Sequence, residues 1–270
     1  MTAGRVIRSK DNPVFKRLVK LASSARHRRE ANQVVLEGTR LVSALLEHGG
    51  LPALLAIAES KAQAPEVVAV SRAVPADRVV VLSDALCGAV SDLATPPGVL
   101  AIAPPPRPRP PKGLPQLLVM LEDIQDPGNL GSILRTAAAA GADAALLSPG
   151  CADPWSLKVL RAAMGAHFTL TIHERADLLQ AVRTFRGRVI ATAAQARQSL
   201  FGLDLTGPLA FIIGNEGAGV SPLLREAAHA VAGLPMPGPM ESLNVAAAAA
   251  VCLYERVRQT QAAPRNQCLI

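Results

Sequence analysis

Aromatic side chains, cysteines and long apolar runs are scarce in this chain of 270 residues. Only 3% of the residues are aromatic although 50% are hydrophobic, so a core must be built from Ala, Val, Leu and Ile. The four cysteines are scattered without a CxxC pair, which argues against a zinc site or a disulfide framework and favours reduced cytosolic thiols. No window approaches the roughly 18 apolar residues of a membrane helix, and the basic N-terminus lacks the apolar segment of a secretory signal. We therefore expect a soluble, cytoplasmic protein without a membrane partner.

Patterns for metals and nucleotides are also missing. The five histidines have no ligand spacing with cysteines or carboxylates, and Asp123 with Asp126 supplies too few ligands for a hard cation. No G-x-G-x-x-G follows a strand candidate, so a Rossmann-type site has no support. The glycine-rich stretch Gly214–Gly219 lacks the Gly-Lys-Ser/Thr ending of a phosphate loop. We expect no metal.

Positive charge is concentrated at the N-terminus. The net charge is +7 and the pI about 9.7, which favours a polyanionic partner. Residues 1–30 contain nine basic and two acidic residues, a surplus equal to that of the whole chain. Phe15, Leu18 and Leu21, with Val14 and Val19, form part of a helical apolar stripe, which predicts an amphipathic basic helix. Its polar side is either a solvated face or a surface for RNA phosphates, and the concentration of charge favours RNA.

Composition divides the rest of the chain into three segments. Residues 31–103 alternate strand and helix patterns, which predicts a small α/β domain. Its predicted strands are Val34–Leu36, Leu54–Ala58, Val79–Leu82 and Gly98–Ala103, and its predicted helices are Thr39–His48 and the stretch from Ser83 to Val90. Residues 104–112 contain six prolines, typical of a polyproline II linker of roughly 28 Å if extended; an SH3-type ligand is the alternative.

Residues 113–270 repeat a strand–loop–helix pattern. Strands are predicted at Leu117–Leu121, Ala144–Leu147, Phe168–Ile172, Arg188–Ala193, Leu209–Ile213 and Ala230–Leu234. Helices are predicted at Ser132–Ala140, Trp155–Met164, Leu178–Phe185, Pro222–Ala228 and Ser242–Val257. Uninterrupted apolar strands separated by helices predict a parallel sheet covered on both faces, with ligands at the carboxyl ends of its strands.

Three stretches of this half stand out. They are LEDIQDPGNLGSILRTAAAAG at Leu121–Gly141, FIIGNEGAGVSP at Phe211–Pro222 and LPMPGPMESLNVA at Leu234–Ala246. The third has three prolines and a glycine within six residues, which fixes a rigid loop, and then the polar start of a helix. By itself it is equally typical of an ordinary strand–loop–helix junction.

In this order and spacing, the three stretches resemble the signature motifs of the SpoU (TrmH-type) RNA 2′-O-methyltransferases of the SPOUT superfamily. The resemblance covers residues 117–258, and Glu37-Gly38 with its helix is similar to the start of the family's RNA-binding domain. It implies an α/β fold in which a C-terminal parallel sheet with a deep trefoil knot holds S-adenosylmethionine. It also implies a homodimer through this domain and methyl transfer to a ribose 2′-hydroxyl of RNA.

The basic arm (1–30) and the substrate domain (31–103) resemble ribosomal-RNA members more than the shorter tRNA enzymes. Ribosomal RNA is therefore the expected substrate and tRNA the alternative. A non-catalytic RNA-binding or ribosome-assembly protein on the same fold is a second alternative. A peptide-binding partner acting through the proline stretch is a third.

The resemblance also implies site residues. Gly214 and its neighbour Asn215 would lie against the cofactor, where a missing side chain lets backbone approach closely. Leu234, Met236 and Leu243 would enclose the adenine and ribose, and Thr192, at a strand end, is a further cofactor candidate. The catalytic candidates are Asn129, Arg135, Glu216, Ser242 and Asn244.

The resemblance implies a role for each catalytic candidate. Asn129 is expected in the loop before a helix and Arg135 in that helix's second turn. We expect Arg135 to stabilise the developing alkoxide and bind phosphate, unless it is a surface salt-bridge residue. Glu216 would orient Arg135 or Asn129, while Ser242 and Asn244 would hold the ribose or cap a helix. Ala246 departs from the small polar residue common in the family.

Overall fold

A computed structural model describes residues 6–107 and 113–261 of the chain. The chain folds into two compact units. The first is Met1–Arg107 with Asp153–Phe168, and the second is Pro108–Ala152 with Thr169–Ile270. The sequence assigned residues 153–168 to the second domain, whereas the structure groups them with the first. Most of the predicted linker, residues 108–112, lies outside the described residues, so its conformation stays a prediction.

The first unit contains a four-stranded sheet formed by β1 (Val34–Glu37), β2 (Leu54–Ala58), β3 (Val79–Leu82) and β4 (Val99–Ala103). The strand order is β1-β4-β2-β3, with β4 antiparallel to both neighbours and β2 parallel to β3. Its helices are α1 (Pro13–Ser23), α2 (Ala25–Ala31), α3 (Thr39–Glu47), α4 (Pro65–Arg72) and α5 (Asp84–Val90). The predicted strands and helices end within one residue of these bounds; α4 was not predicted.

The basic N-terminal segment is two helices rather than one. Ser24 is extended, so it ends α1, and its side chain accepts a hydrogen bond from the His27 N–H at the start of α2. Phe15, Leu18 and Leu21 on α1 are buried in a cluster with residues of the sheet. The predicted amphipathic helix is therefore confirmed in its apolar stripe, and it packs as part of the unit.

Residues 153–168 complete this first unit. Helix α7 (Leu157–Ala163) carries Leu160 into the core on one side of the sheet and Leu157 into the core on the other. The Asp153 carboxylate pairs with Arg28, which is 6% exposed. Because burying an unpaired guanidinium would be costly, this ion pair ties the segment to α2.

The second unit contains a seven-stranded sheet in the order β7-β6-β5-β10-β8-β11-β9, and every pair of neighbours is parallel. The strands are β5 (Leu117–Leu121), β6 (Ala144–Leu147), β7 (Thr171–His173), β8 (Arg188–Thr192), β9 (Gln198–Ser199), β10 (Leu209–Ile213) and β11 (Ala230–Gly233). The helices are α6 (Pro127–Ala139), α8 (Leu178–Thr184), α9 (Pro222–Ala227) and α10 (Val245–Thr260). The predicted parallel sheet is confirmed. Among the described residues no helix is long and apolar enough to span a membrane.

Two helix starts in this unit differ from prediction, and both lie at the site described below. Helix α6 begins at Pro127, five residues early, because Asp126 caps it and proline suits the first turn. Asn129 is therefore in the first turn rather than in the loop before the helix. Helix α10 begins at Val245, three residues late, because Asn244 is its cap.

Candidate active site

Four neighbouring strands of the second unit end at one edge of the sheet. They stand in the order β5-β10-β8-β11, and the loops that follow β5, β10 and β11 are the three motif segments. Because the strands are parallel, their carboxyl ends lie together, where open α/β sheets bind ligands. Segments nearly 120 residues apart in the sequence thus meet in one place.

A cavity of about 210 Å³ opens at this edge. Its lining includes all six predicted cofactor residues: Thr192, Gly214, Asn215, Leu234, Met236 and Leu243. Glu216 and Ser242 line it as well. Since pockets that bury a drug-sized ligand are usually about 300–1,000 Å³, this cavity would leave a nucleoside-sized ligand partly exposed.

Its walls are mainly apolar and backbone. The Thr192 hydroxyl donates to the carbonyl oxygen of Ile212 at 3.0 Å, so it also fixes β8 to β10. Leu200 and Cys252 close other parts of the wall. Burial raises the pKa of the Cys252 thiol to about 12, so this group is a neutral, unreactive wall residue at neutral pH.

Gly214 lines the cavity, but its lack of a side chain serves the loop itself. A Cβ atom at this position would overlap the backbone of Gly219 and Val220. Close approach of a ligand was the expected reason for a glycine here, whereas in the structure the close approach is that of the chain's own backbone. The glycine therefore allows the second motif to fold into a tight loop.

Asn215 holds this loop together and joins it to the first motif. Its Oδ1 accepts hydrogen bonds from the N–H groups of Gly217 at 2.9 Å and Ala218 at 3.0 Å. Its Nδ2 donates to the carbonyl oxygen of Asp123 at 2.8 Å. All three contacts use one side chain, so Asn215 fixes the position of the loop relative to the end of β5.

Glu216 receives hydrogen bonds from three groups of the first motif. Its Oε1 accepts from Asn129 Nδ2 at 3.1 Å and from the Asp126 N–H at 3.2 Å, and its Oε2 accepts from the Gln125 N–H at 3.3 Å. Desolvation raises the pKa of Glu216, but these donors outweigh it and hold the pKa below its usual value. The group is a carboxylate at neutral pH, and it orients Asn129 rather than Arg135.

Asn129 connects Glu216 to the third motif. Asn244 donates from Nδ2 to Asn129 Oδ1 at 3.0 Å, while Asn129 Nδ2 donates to Glu216. Both amide orientations are thereby fixed. Asn244 Oδ1 in turn accepts from the N–H groups of Ala246 and Ala247, at 2.9 and 3.3 Å, so the same residue caps α10.

Arg135 lies in α6, whose first turn holds Asn129, and its side chain is exposed. Within residues 6–107 and 113–261, no hydrogen-bond or ion-pair partner of Arg135 is found, so the salt-bridge alternative has no support there. A free guanidinium can bind an anion.

Ser242 lines the cavity and is exposed, but it is not the cap of α10. The cap position belongs to Asn244, two residues later. The interpretation of Ser242 as a pure helix cap is therefore wrong.

Several cavity residues were missed in the sequence. Val245, Ala248 and Cys252 line it from one face of α10, and their spacing of three and four residues is the signal that could have found them. Leu200 follows the two-residue strand β9, which is too short for a periodic pattern. In the described part of the chain, no group of three or more His, Cys, Asp or Glu residues could hold a metal.

Family models match both halves of the chain. Residues 116–254 match the SpoU rRNA Methylase family, and residues 12–101 match the MRM3-like substrate binding domain. The second match begins inside the predicted basic arm, so α1 and α2 belong to that domain's pattern.

Curated relatives align over long stretches. An uncharacterized tRNA/rRNA methyltransferase of Synechocystis is 36% identical over 95% of both chains. The 23S rRNA guanosine 2′-O-methyltransferase RlmP of Bacillus subtilis is 31% identical over 85% of this chain and 90% of its own. RlmB of Ralstonia nicotianae, named for the same type of reaction, is 39% identical over 56% of this chain and 61% of its own.

Solved structures agree with these matches. AviRb of Streptomyces viridochromogenes, a SpoU methyltransferase in complex with AdoMet, has a TM-score of 0.82 at 28% identity, covering 94% of this chain and 100% of its own. An AdoMet-bound rRNA methyltransferase from Sinorhizobium meliloti has a TM-score of 0.80 at 30% identity, covering 95% and 98%. Because a family model spans half of the chain and relatives align along nearly all of it, this chain belongs to the SpoU rRNA methylase family.

Proposed function

We propose that this protein transfers a methyl group from S-adenosylmethionine to a ribose 2′-hydroxyl of ribosomal RNA. The observation that carries the proposal is a cavity lined by the second and third motif segments, to which the first motif segment is joined by the Asn244–Asn129–Glu216 hydrogen bonds. The names of the relatives support ribosomal RNA as the substrate class.

The cavity suits the proposed cofactor. Leu234, Met236 and Leu243 would enclose its adenine and ribose, because flat apolar groups pack well on such side chains. Thr192 and the backbone at Gly214 and Asn215 would face its polar edges. When bound, S-adenosylmethionine supplies an electrophilic methyl group on a sulfonium.

Arg135 is proposed to hold the reacting part of the RNA. Arginine stays protonated in proteins, so an electrostatic role suits it better than that of a base. Its guanidinium would stabilise negative charge developing on the 2′-oxygen and bind the adjoining phosphate through two parallel hydrogen bonds. Asn129, in the first turn of the same helix, would keep one N–H and one lone pair for the RNA, while Ser242 at the cavity rim would contact the ribose.

Glu216 and Asn244 are proposed as positioning residues. The Glu216 carboxylate already accepts three hydrogen bonds, two of them from backbone of the turn before α6. It therefore holds the helix that carries Arg135. Asn244 would do the same from the start of α10.

The trefoil knot and the homodimer are part of the same proposal. Strand β10 lies between β5 and β8, and α10 packs against α6, an interleaving of late and early segments that supports a knot. Tyr254 on α10 is 49% exposed, and Leu243, just before the start of α10, is 43% exposed. Exposed large apolar side chains of this kind support a contact with a second copy. Sedimentation equilibrium would test the dimer: a species of one chain's mass at all concentrations would contradict it.

The functions proposed for the segments follow the domain boundaries predicted from the sequence. Residues 1–30 and 31–103 would bind RNA, and residues 104–112 would link the domains. Residues 113–270, apart from residues 153–168 that pack with the first unit, would carry out methyl transfer.

The test is transfer of labelled methyl from S-adenosylmethionine to bacterial RNA, followed by nuclease mapping. We expect label as a 2′-O-methylnucleoside in ribosomal RNA. Label in tRNA would correct the substrate, and absence of cofactor binding by calorimetry would leave a non-catalytic RNA-binding protein. If the proline stretch binds a peptide partner, deleting residues 104–111 should abolish that interaction and leave methylation intact.

Arg135→Lys tests the catalytic assignment. We expect kcat to fall about 100-fold with unchanged cofactor affinity, because lysine keeps the charge but not the forked geometry. Arg183→Lys, an exposed change on α8, is the matched control and should be neutral. Near-normal turnover by Arg135→Lys would contradict the role.

A further inference from the structure

Four of the eight basic residues that the structure describes between residues 6 and 30 are paired with a carboxylate. The ion pairs are Arg8–Glu59, Lys16–Asp11, Arg26–Glu30 and the buried Arg28–Asp153. A cation in such a pair contributes little net field at the surface. The charge surplus of residues 1–30 is therefore carried by fewer side chains than the sequence suggests.

Two arginines of this unit are held by neutral amides instead. Arg17 on α1 donates from Nη2 to Gln33 Oε1 at 2.8 Å. Arg107 donates from Nη2 to Asn32 Oδ1 at 3.1 Å. An amide oxygen orients a guanidinium without cancelling its charge. Since Asn32 and Gln33 are adjacent, both guanidinium groups lie at the same turn.

This turn is well defined. Asn32 has left-handed backbone, with φ of 49°, and ends α2 with its N–H directed to the carbonyl oxygens of Arg28 and Arg29. Exposed Lys20 follows Arg17 by one turn of α1, and exposed Arg29 precedes Asn32 on α2. Neither has a carboxylate partner within the part of the chain that the structure describes.

We propose that Arg17 and Arg107, with the amides Asn32 and Gln33 that hold them (the arginine patch), bind two phosphates of the RNA substrate's backbone. This inference rests on the proposed function. Guanidinium groups match phosphate geometry through paired hydrogen bonds, and their positions are set before RNA arrives. An anionic membrane is a poorer match, because no large apolar side chain of α1 or α2 is exposed among the described residues.

The patch can be tested with every arginine still present. Asn32→Asp with Gln33→Glu turns both neutral acceptors into carboxylates, which pair with the guanidinium groups, and aspartate tolerates left-handed backbone. If two phosphate contacts are lost, the slope of log K against log salt should fall by about 1.4 to 1.8, which is about a 20-fold loss of affinity at about 0.15 M salt. Gln63→Glu with Gln180→Glu adds the same charge at exposed positions outside the patch and should leave the slope unchanged.

The measurement is fluorescence anisotropy of a labelled RNA stem–loop with the full chain, over about 0.05 to 0.2 M salt. An unchanged affinity and slope in the folded double variant would overturn the proposal, as would equal losses in variant and control. If the variant unfolds, Arg17→Gln with Arg107→Gln must give the same loss of slope, or the patch is wrong. Loss of binding to phosphatidylserine vesicles with RNA binding intact would also overturn it, in favour of a membrane.

The same variants separate this inference from the proposed function. Methyl transfer with an unchanged KM for RNA would overturn the patch and leave the function standing. Patch-dependent RNA binding by a chain that transfers no methyl group would support the patch and remove the function. Cofactor affinity should be the same in all variants, since none of the changed residues lines the cavity.

Discussion

Glu216 offers the sharpest test of how the site works. It could hold α6 in position or act as a general base, and the two roles predict losses of activity of very different size. Glu216→Gln keeps the shape of the side chain but replaces one acceptor oxygen by an N–H₂ donor. The best orientation keeps oxygen towards Asn129 and the Asp126 N–H, and then the new donor faces the Gln125 N–H. One of three hydrogen bonds is lost, and two lose their charge.

The size of the effect follows from these contacts. Hydrogen bonds to a charged group contribute roughly 1.5–3 kcal/mol and neutral ones about 0.5–1.5 kcal/mol. The bonds are 3.1 to 3.3 Å long and Glu216 is exposed, so solvent screening reduces the difference to about 1 kcal/mol. If this loss of about 1 kcal/mol falls on the placement of α6, and so of Arg135, in the reacting complex, kcat/KM should fall about fivefold. Removing a general base would instead cost about 100-fold or more.

The pH profile gives a second measurement. The pKa of Glu216 in the folded protein is below its usual value, so its contribution is complete above the usual carboxyl pKa and disappears as pH falls through the lowered one. The wild type should therefore lose kcat/KM on this acid limb, and Glu216→Gln should lack the limb. A 100-fold loss at neutral pH with unchanged cofactor affinity would refute the positioning role.

Substitutions at three further positions, Gly214, Asn244 and Asp153, test individual local interactions. Gly214→Ala should lower cofactor affinity at least about tenfold in calorimetry, because its Cβ would displace the loop. Gly202→Ala, which lies outside the cavity lining and whose Cβ meets nothing within 4 Å, should leave the affinity unchanged. Asn244→Asp keeps the cap oxygen but loses the amide donor to Asn129, so kcat should fall while thermal stability is kept. Asn244→Ala removes the cap as well and should also lower the free energy of unfolding by about 1 kcal/mol. A kcat of Asn244→Asp equal to that of the wild type would contradict the positioning role of Asn244. Asp153→Asn should lower the free energy of unfolding by about 3 kcal/mol, because Arg28 remains buried with a weaker partner. Denaturant titration measures this loss, and a loss below about 1 kcal/mol would contradict a buried charge pair.

Local patterns in the sequence were sufficient for most of the sheet and helices. Strands β5, β6 and β10 are continuous apolar runs, and their bounds were predicted to the residue. Errors occurred where two signals compete. The helix was predicted to begin at Ser132, but Asp126 and Pro127 start it five residues earlier. In α10 several polar residues could serve as the cap, and only Asn244 reaches the free N–H groups.

The sequence by itself determined the residue types of the candidate site and the parallel sheet that carries them, because motif spacing and apolar runs are local properties. Only the tertiary structure decided their partners. Glu216 binds Asn129, 87 residues away, and Asn244 binds Asn129 across 115 residues. Likewise Arg28 is buried against Asp153, 125 residues away, although it stands among surface cations in the sequence. Such pairings depend on which strand ends and helices the fold brings together, and no local pattern records that.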